Sequence, residues 1–189
     1  MKVHPEITDE LRSFIEAQHM FFVASAPTDL DGHVNLSPKG LEGCLIVLGP
    51  HRVAYLDYGG SGAETIAHIH DNGRLTLMFA AFDGPPNIVR LFGHGRAIFI
   101  GDPDFASLRA LFPRSHNRLR AIIDVTVERV QDSCGYAVPL MTFNEHRDRL
   151  TATWAEKDDE AAVKYWAAKN AVSIDGLPAM PPAPAHETA

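Results

Sequence analysis

The sequence predicts a mainly β fold, an antiparallel barrel with helices at its periphery. Three observations carry that expectation. About six or seven short segments either alternate apolar and polar residues or are rich in β-branched and aromatic side chains, as strands are. Most of these segments are joined by turns of Gly, Pro, Asn or Asp. A single helix, Ser61 to Asn72, is expected between neighbouring strands early in the chain, whereas a doubly wound parallel sheet needs one after nearly every strand.

Taken in order, Thr8 to Gln18 fits an amphipathic helix. Thr8 is a suitable N-cap, Asp9 and Glu10 complement the dipole, and Leu11, Phe14 and Ile15 share a face. Met20 to Ala26 has the composition of a buried strand. Asp31-Gly32 is a hairpin signal leading to a return strand, His33 to Ser37, which Pro38 ends or places at an edge. Cys44 to Leu48 is a short apolar strand. Val53 to Tyr58 follows and enters a turn containing Gly59, Gly60 and Gly62. Ser61 and Glu64 stand at capping-box spacing, Ile66 and Ile69 share a helix face, and Asn72-Gly73 is a stop. Leu75, Leu77 and Phe79 alternate as the next strand.

Asn87 to Gly101 is a long strand in which Gly93 and Gly95 mark a bulge or bend. Asp102-Pro103-Asp104 opens a helix with a stripe of Phe105, Leu108, Leu111 and Phe112. Arg114, His116, Arg118 and Arg120 make a basic loop expected to be solvated. Ala121 to Val130 alternates cleanly as a strand. Asn144 to Asn170 is helical with a break near Asp158-Asp159, and Leu150, Trp154, Val163 and Trp166 are its packing candidates. No repeat or composition shift divides the chain, so residues 1–175 form one domain and 176–189 a proline-rich, extended or disordered tail.

An apolar fraction of 46% indicates a globular chain, and a net charge of −7 argues against a general nucleic-acid partner. No apolar run approaches the roughly 20 residues of a membrane span, and MKVHPEITDE lacks the apolar core of a signal peptide. Cys44 and Cys134 are distant, and reduced thiols in a cytoplasmic protein are the expectation. His68 and His70 point to different sides of one helix and no Cys/His set has zinc spacing, so no metal is expected.

Four groups of residues invite a chemical reading. A glycine turn that delivers a helix N-terminus suits an anion, because free N–H groups and the positive dipole end both point outward; Ser61 could equally be a cap and nothing more. Asn35, Ser37 and Lys39 share one side of an extended segment, facing either a polar ligand or water. Arg90 lies in the otherwise apolar run Asn87 to Phe92 and needs a partner, a carboxylate or a phosphate. Gly60-Ser61-Gly62-Ala63-Glu64-Thr65 is not a dinucleotide fingerprint, since the third glycine is a threonine and the βαβ repeat is missing. No nucleophile elbow is present. Cys134, in Ser133-Cys134-Gly135-Tyr136, has no base at recognisable spacing, so no catalytic residue is named.

The segments FFVASAP, HVNLSPKG, VAYLDYGGSGAETIAHIHDNGRLTLMF and IVRLFGHGRAI, in this order, resemble the pyridoxamine 5'-phosphate oxidase-like, FMN-binding split-barrel family over roughly Met20 to Ile100. The closing IDGLP, Ile174 to Pro178, resembles the end of an uncharacterised branch of it. The resemblance implies a six-stranded antiparallel split β-barrel, a homodimer, and FMN in clefts between subunits. Authentic oxidases carry Ser-Arg-Lys where this chain has Ser61-Gly62-Ala63, so the phosphate's countercharge must come from elsewhere and vitamin B6 phosphate oxidation is not expected. Lys39 and Arg90 are the expected cations, with Ser61, Thr65 and the amides around Gly62 as donors. Asn35 and Ser37 would line the flavin ring and ribityl chain, and Asp57 and Glu64 complete the set. The function implied is FMN-dependent oxidation or reduction of a small molecule of unknown identity. The alternative is a non-catalytic module holding flavin, a deazaflavin or haem.

Overall fold

The computed structural model describes residues 1–114 and 119–180. The expectations at His116 and Arg118, and at the prolines from 181 onward, lie outside the described residues. The strands are β1 (Lys2–His4), β2 (Phe21–Ser25), β3 (Asn35–Lys39), β4 (Leu45–Gly49), β5 (Arg52–Tyr58), β6 (Arg74–Ala80), β7 (Ile88–Phe99) and β8 (Leu119–Ser133). The helices are α1 (Asp9–Ala17), α2 (Glu64–Asp71), α3 (Phe105–Arg109), α4 (Arg149–Ala155) and α5 (Asp159–Lys169).

All eight strands join one antiparallel sheet in the order β3-β2-β6-β7-β8-β5-β4, with β1 also on β8. The sheet is a split barrel: it curls around a core of Val23, Tyr55, Leu77, Leu91, Ile122 and Ile123, all below 2% exposed. β1 is the strand missing from the expected count, because three residues are too few to display a period. β8, 15 residues long, pairs with β7 on one side and with β5 on the other. Its start is two residues earlier than expected, which takes Arg120 out of the basic loop and into the sheet, where it is 4% exposed.

Local chemistry accounts for most boundaries. The Thr8 hydroxyl accepts the Leu11 N–H at 3.3 Å and so caps α1, which buries Leu11 and Ile15. Pro38 sits inside β3, permitted there because β3 is an edge strand. Asp31-Gly32 does not form a tight hairpin. β2 and β3 pair from Ser25↔Asn35, so the connection is a longer loop in which Gly32 N–H bonds the Asp29 carbonyl. Asn72 caps the end of α2 and Gly73 takes the left-handed φ of 75° that the stop signal requires. Leu111, beyond the end of α3 at Arg109, is exposed, whereas Phe112 is buried. Asp158 breaks the C-terminal helix as anticipated, accepting the Ala161 N–H at 2.8 Å as the N-cap of α5. The chain from Gly176 to Met180 is docked rather than loose: Ala179 is fully buried and its N–H bonds the Ala171 carbonyl.

Cys44 closes the β3–β4 corner, its thiol donating to the Gly40 carbonyl at 3.0 Å. Burial pushes this thiol up to about 11. Cys134 is exposed. At about pH 8, iodoacetamide is therefore expected to label Cys134 and spare Cys44 in the native protein, since only thiolates react. Comparable labelling of both, read by mass spectrometry, would contradict a closed corner.

Candidate functional site

The site begins with the two faces of β5. Successive side chains on a strand alternate, so Tyr55 and Asp57 point one way and Leu56 and Tyr58 the other. Asp57 is 1% exposed and meets two cations. Lys39 Nζ, from β3, lies 3.0 Å from its Oδ1. Arg120 Nε and Nη2, from β8, lie 2.8 and 2.6 Å from its Oδ2. The register Asp57↔Ala121 brings the start of β8 beside it. Burial alone would raise the Asp57 pKa, but the charges and hydrogen bonds of Lys39 and Arg120 outweigh it and hold the carboxyl below its ordinary value. Two cations against one carboxylate leave the triad with one positive charge in excess. Tyr55 stands behind it, its phenol pushed well up by burial and then by Asp57, with no hydrogen-bond partner among the described residues.

β5 runs directly into the glycine turn, whose three glycine carbonyls are each held by a donor from a buried residue. Trp154 Nε1 reaches the Gly59 carbonyl at 3.3 Å, Asn170 Nδ2 that of Gly60 at 3.1 Å, and Arg120 Nη1 that of Gly62 at 2.9 Å. Every peptide bond here is trans, so each carbonyl opposes the N–H of the next residue. The N–H groups of Gly60, Ser61 and Ala63 therefore face away from those three donors. No described residue accepts a hydrogen bond from them. The turn does not need left-handed glycines: Gly59, Gly60 and Gly62 all have negative φ. Gly59 is needed for room, since a Cβ there would lie 2.3 Å from Trp166 Nε1.

Ser61 does not cap the helix. Ala63 is the N-cap of α2 and makes no side-chain capping bond. The capping-box partner is used elsewhere, with Glu64 Oε2 and Oε1 accepting the Ile174 N–H at 3.1 and 3.3 Å. Ser61 is exposed and lines a cleft of about 860 Å³, within the roughly 300–1,000 Å³ of small-molecule sites. Lys39, Leu56, Tyr58, Gly60, Ser61, Phe143 and Trp154 are among the residues that line it. Phe143 stacks on His19 with ring centroids 3.7 Å apart.

Of the nine expected residues, Lys39 and Ser61 line the cleft, Lys39 also meets Asp57, and Arg90 lies apart. Asn35, Ser37 and Thr65 do meet: Asn35 Nδ2 donates to Thr65 Oγ1 at 3.1 Å, and Ser37 Oγ to Asn35 Oδ1 at 3.2 Å. They bond one another rather than line the cleft. Arg90 donates to Ser133 Oγ at 3.1 Å. It is in register with Met78, which pairs with Phe22, whereas Lys39 pairs with the adjacent Phe21. Adjacent residues face opposite sides of a sheet, so Lys39 and Arg90 of one chain do not converge. β7 is also three strands from β3, about 14 Å at ~4.8 Å per strand.

Sequence reasoning missed Arg120, Trp154 and Asn170 as members of the site. An arginine heading a cleanly alternating strand was the available signal for Arg120; nothing local marks the other two. Among the described residues no group of three or more His, Cys, Asp or Glu could hold a metal ion. No described helix is long and apolar enough to cross a membrane.

A family model described as pyridoxamine 5'-phosphate oxidase matches residues 7–134. A pyridoxamine 5'-phosphate oxidase family protein of Aspergillus flavus, ustO, is 39% identical over 193 residues, covering 94% of this chain and 77% of that protein. Among solved structures, HupZ of Group A Streptococcus aligns at a TM-score of 0.51 and 18% identity, over 72% of this chain and 99% of that one. An FAD-binding protein of Mycobacterium smegmatis aligns at 0.47 and 12%, over 70% and 97% respectively.

Proposed function

Because this chain belongs to the pyridoxamine 5'-phosphate oxidase family, we propose that it is a flavin-dependent oxidoreductase that takes FMN, with the phosphate at the glycine turn and the ring in the adjoining cleft. The observation that carries this is the turn itself. Three carbonyls are drawn inward by Trp154, Asn170 and Arg120, which leaves the opposing N–H groups without acceptors beside a triad of excess charge +1. Donors and charge of that kind suit a phosphate ester, and the cleft has room for a planar tricyclic ring.

Bound flavin would supply the two-electron chemistry, exchanged with a small-molecule substrate. The chain's own groups do the rest. Lys39, which lines the cleft, provides the countercharge that Gly62 and Ala63 lack, and Arg120 holds the turn from its carbonyl side. Ser61 offers a hydroxyl to the cleft. Thr65, oriented by Asn35, stands in the first turn of α2. Leu56, Phe143 and Trp154 give the cleft an apolar lining. Arg90, tied to Ser133, serves the sheet. A homodimer is part of the proposal: the edge strand β3 that carries Lys39 leaves Leu36 62% exposed, with Val34 just before it 75% exposed, and edge strands need covering.

Lys39→Ala is expected to weaken FMN binding on the order of tenfold to a hundredfold, the worth of a charge-assisted hydrogen bond, and to leave riboflavin binding nearly unchanged. Arg90→Ala is expected to bind FMN as the wild type does. Titration by flavin fluorescence quenching checks both, and equal losses for the two flavins in Lys39→Ala would discard the phosphate assignment. The absorbance spectrum distinguishes FMN from a deazaflavin or haem. Bleaching by NADH or NADPH followed by reoxidation in air separates an oxidoreductase from a carrier.

A further inference from the structure

We infer that the C-terminal segment from α4 to Met180, which lies beyond the residues matched by the family model, is a built part of the cofactor site: Asn170 and Trp154 are positioning residues that keep the glycine turn with its amide groups presented to the phosphate. The inference rests on the flavin reading above.

The geometry is specific. Asn170 is fully buried and Trp154 is 3% exposed, and each has a side-chain N–H on a carbonyl of the turn, Gly60 and Gly59 respectively. Across a trans peptide, fixing the Gly59 carbonyl fixes the Gly60 N–H, and fixing the Gly60 carbonyl fixes the Ser61 N–H. The same segment then grips the two neighbours of the turn. Ile174 N–H bonds the carboxylate of Glu64, the first residue of α2. Asp175 takes the His33 N–H at 2.9 Å and lies 2.7 Å from His33 Nδ1, at the entry to β3. Bonds from Ser173 N–H to Leu177 O and from Ala179 N–H to Ala171 O close the segment on itself. One strap thus spans the turn, the start of α2 and the approach to the strand that carries Lys39.

Apolar packing does not account for this arrangement. α5 buries Ala162 as its fully covered residue, so the helix contributes little to the core. Asn170, just past its end, is desolvated at a cost: its Oδ1 has no partner among the described residues. A leucine would fill such a position without that cost. What asparagine adds is the bond to Gly60, and what that bond fixes is the orientation of the Ser61 amide.

The test compares FMN with riboflavin, which lacks the phosphate, on full-length protein. Asn170→Ala is expected to raise the Kd for FMN on the order of tenfold, and Trp154→Phe, which keeps the ring and loses the donor, by about threefold. Riboflavin affinity is expected to stay within about twofold of wild type in Asn170→Ala, whose side chain does not line the cleft, and to fall by less than FMN affinity in Trp154→Phe, whose ring does. Far-UV circular dichroism and the apo-protein Tm establish folding, and Trp154→Phe carries the test should Asn170→Ala fail to fold. Equal loss of both flavins, or no loss of either, would overturn the positioning role while leaving the flavin reading intact. Wild-type protein that does not prefer FMN to riboflavin would overturn the flavin reading and the strap's role together.

Discussion

Gly93→Ala is expected to destabilise the protein by about 3 kcal/mol or more, lowering the Tm by roughly 10 °C in a chain of this size. An added Cβ would lie 2.0 Å from the Thr126 carbonyl oxygen, 3.0 Å from its carbon and 3.1 Å from Val127 Cα. All three are backbone atoms of β8, which pairs with β7 on that side and with β5 on the other. A flexible side chain could swing clear; a strand held on both edges cannot, except by giving up ladder bonds. Gly93 also stands where the register between β7 and β8 shifts, from Phe92↔Arg129 to Gly93↔Val127. The glycine is therefore the residue that lets two strands approach at a bulge. Urea or thermal unfolding measures the effect, and a Tm within about 2 °C of wild type would contradict this register.

Asp57→Ala is expected to cost about 3–5 kcal/mol at neutral pH, because removing one member of a buried ion pair leaves a desolvated charge unbalanced. Arg120, 4% exposed, loses the acceptor for Nε and Nη2, and Lys39 loses its partner as well. The pH dependence identifies the cause. The folded pKa of Asp57 is depressed, its burial being outweighed by Lys39 and Arg120. The triad's contribution is therefore fully present above the unfolded carboxylate pKa, about 3.9, and is lost as pH falls through the folded value. The gap between wild type and Asp57→Asn should be full at about pH 7 and should narrow below about pH 4, where the wild-type carboxylate also takes up a proton. A gap that stays constant across that range would show that shape, not charge, holds the triad together.

The two substitutions probe features of different legibility. Gly93 is readable from local pattern, since a glycine inside an alternating strand marks a bulge or a close backbone approach, and β7 forms as expected with a bulge at that residue. Asp57 enters the site by resemblance together with Lys39, but without Arg120. By composition Arg120 belongs with Arg114 in a basic, solvated loop; only the pairing of β8 with β5 carries it under Gly62. Ser61 and Glu64 show the opposite error. Their spacing fits a capping box, yet Ile174, more than a hundred residues later, takes the glutamate, and the helix starts at Glu64. Short-range motifs state what a segment can do in isolation, and tertiary contacts choose among the possibilities.

Local sequence was enough to specify the antiparallel barrel, the order of most elements, the glycine turn before α2 and the polar face Asn35-Ser37-Lys39. Each of these follows from periodicity, turn chemistry and capping, which act over a few residues. Three facts come from the folded chain alone: Lys39 and Arg90 project from opposite faces, Arg120 completes a buried triad with Asp57, and Trp154 and Asn170 hold the turn. They depend on strand register and on contacts across most of the chain's length, where a shift of one residue would reverse every face. No local pattern encodes that information.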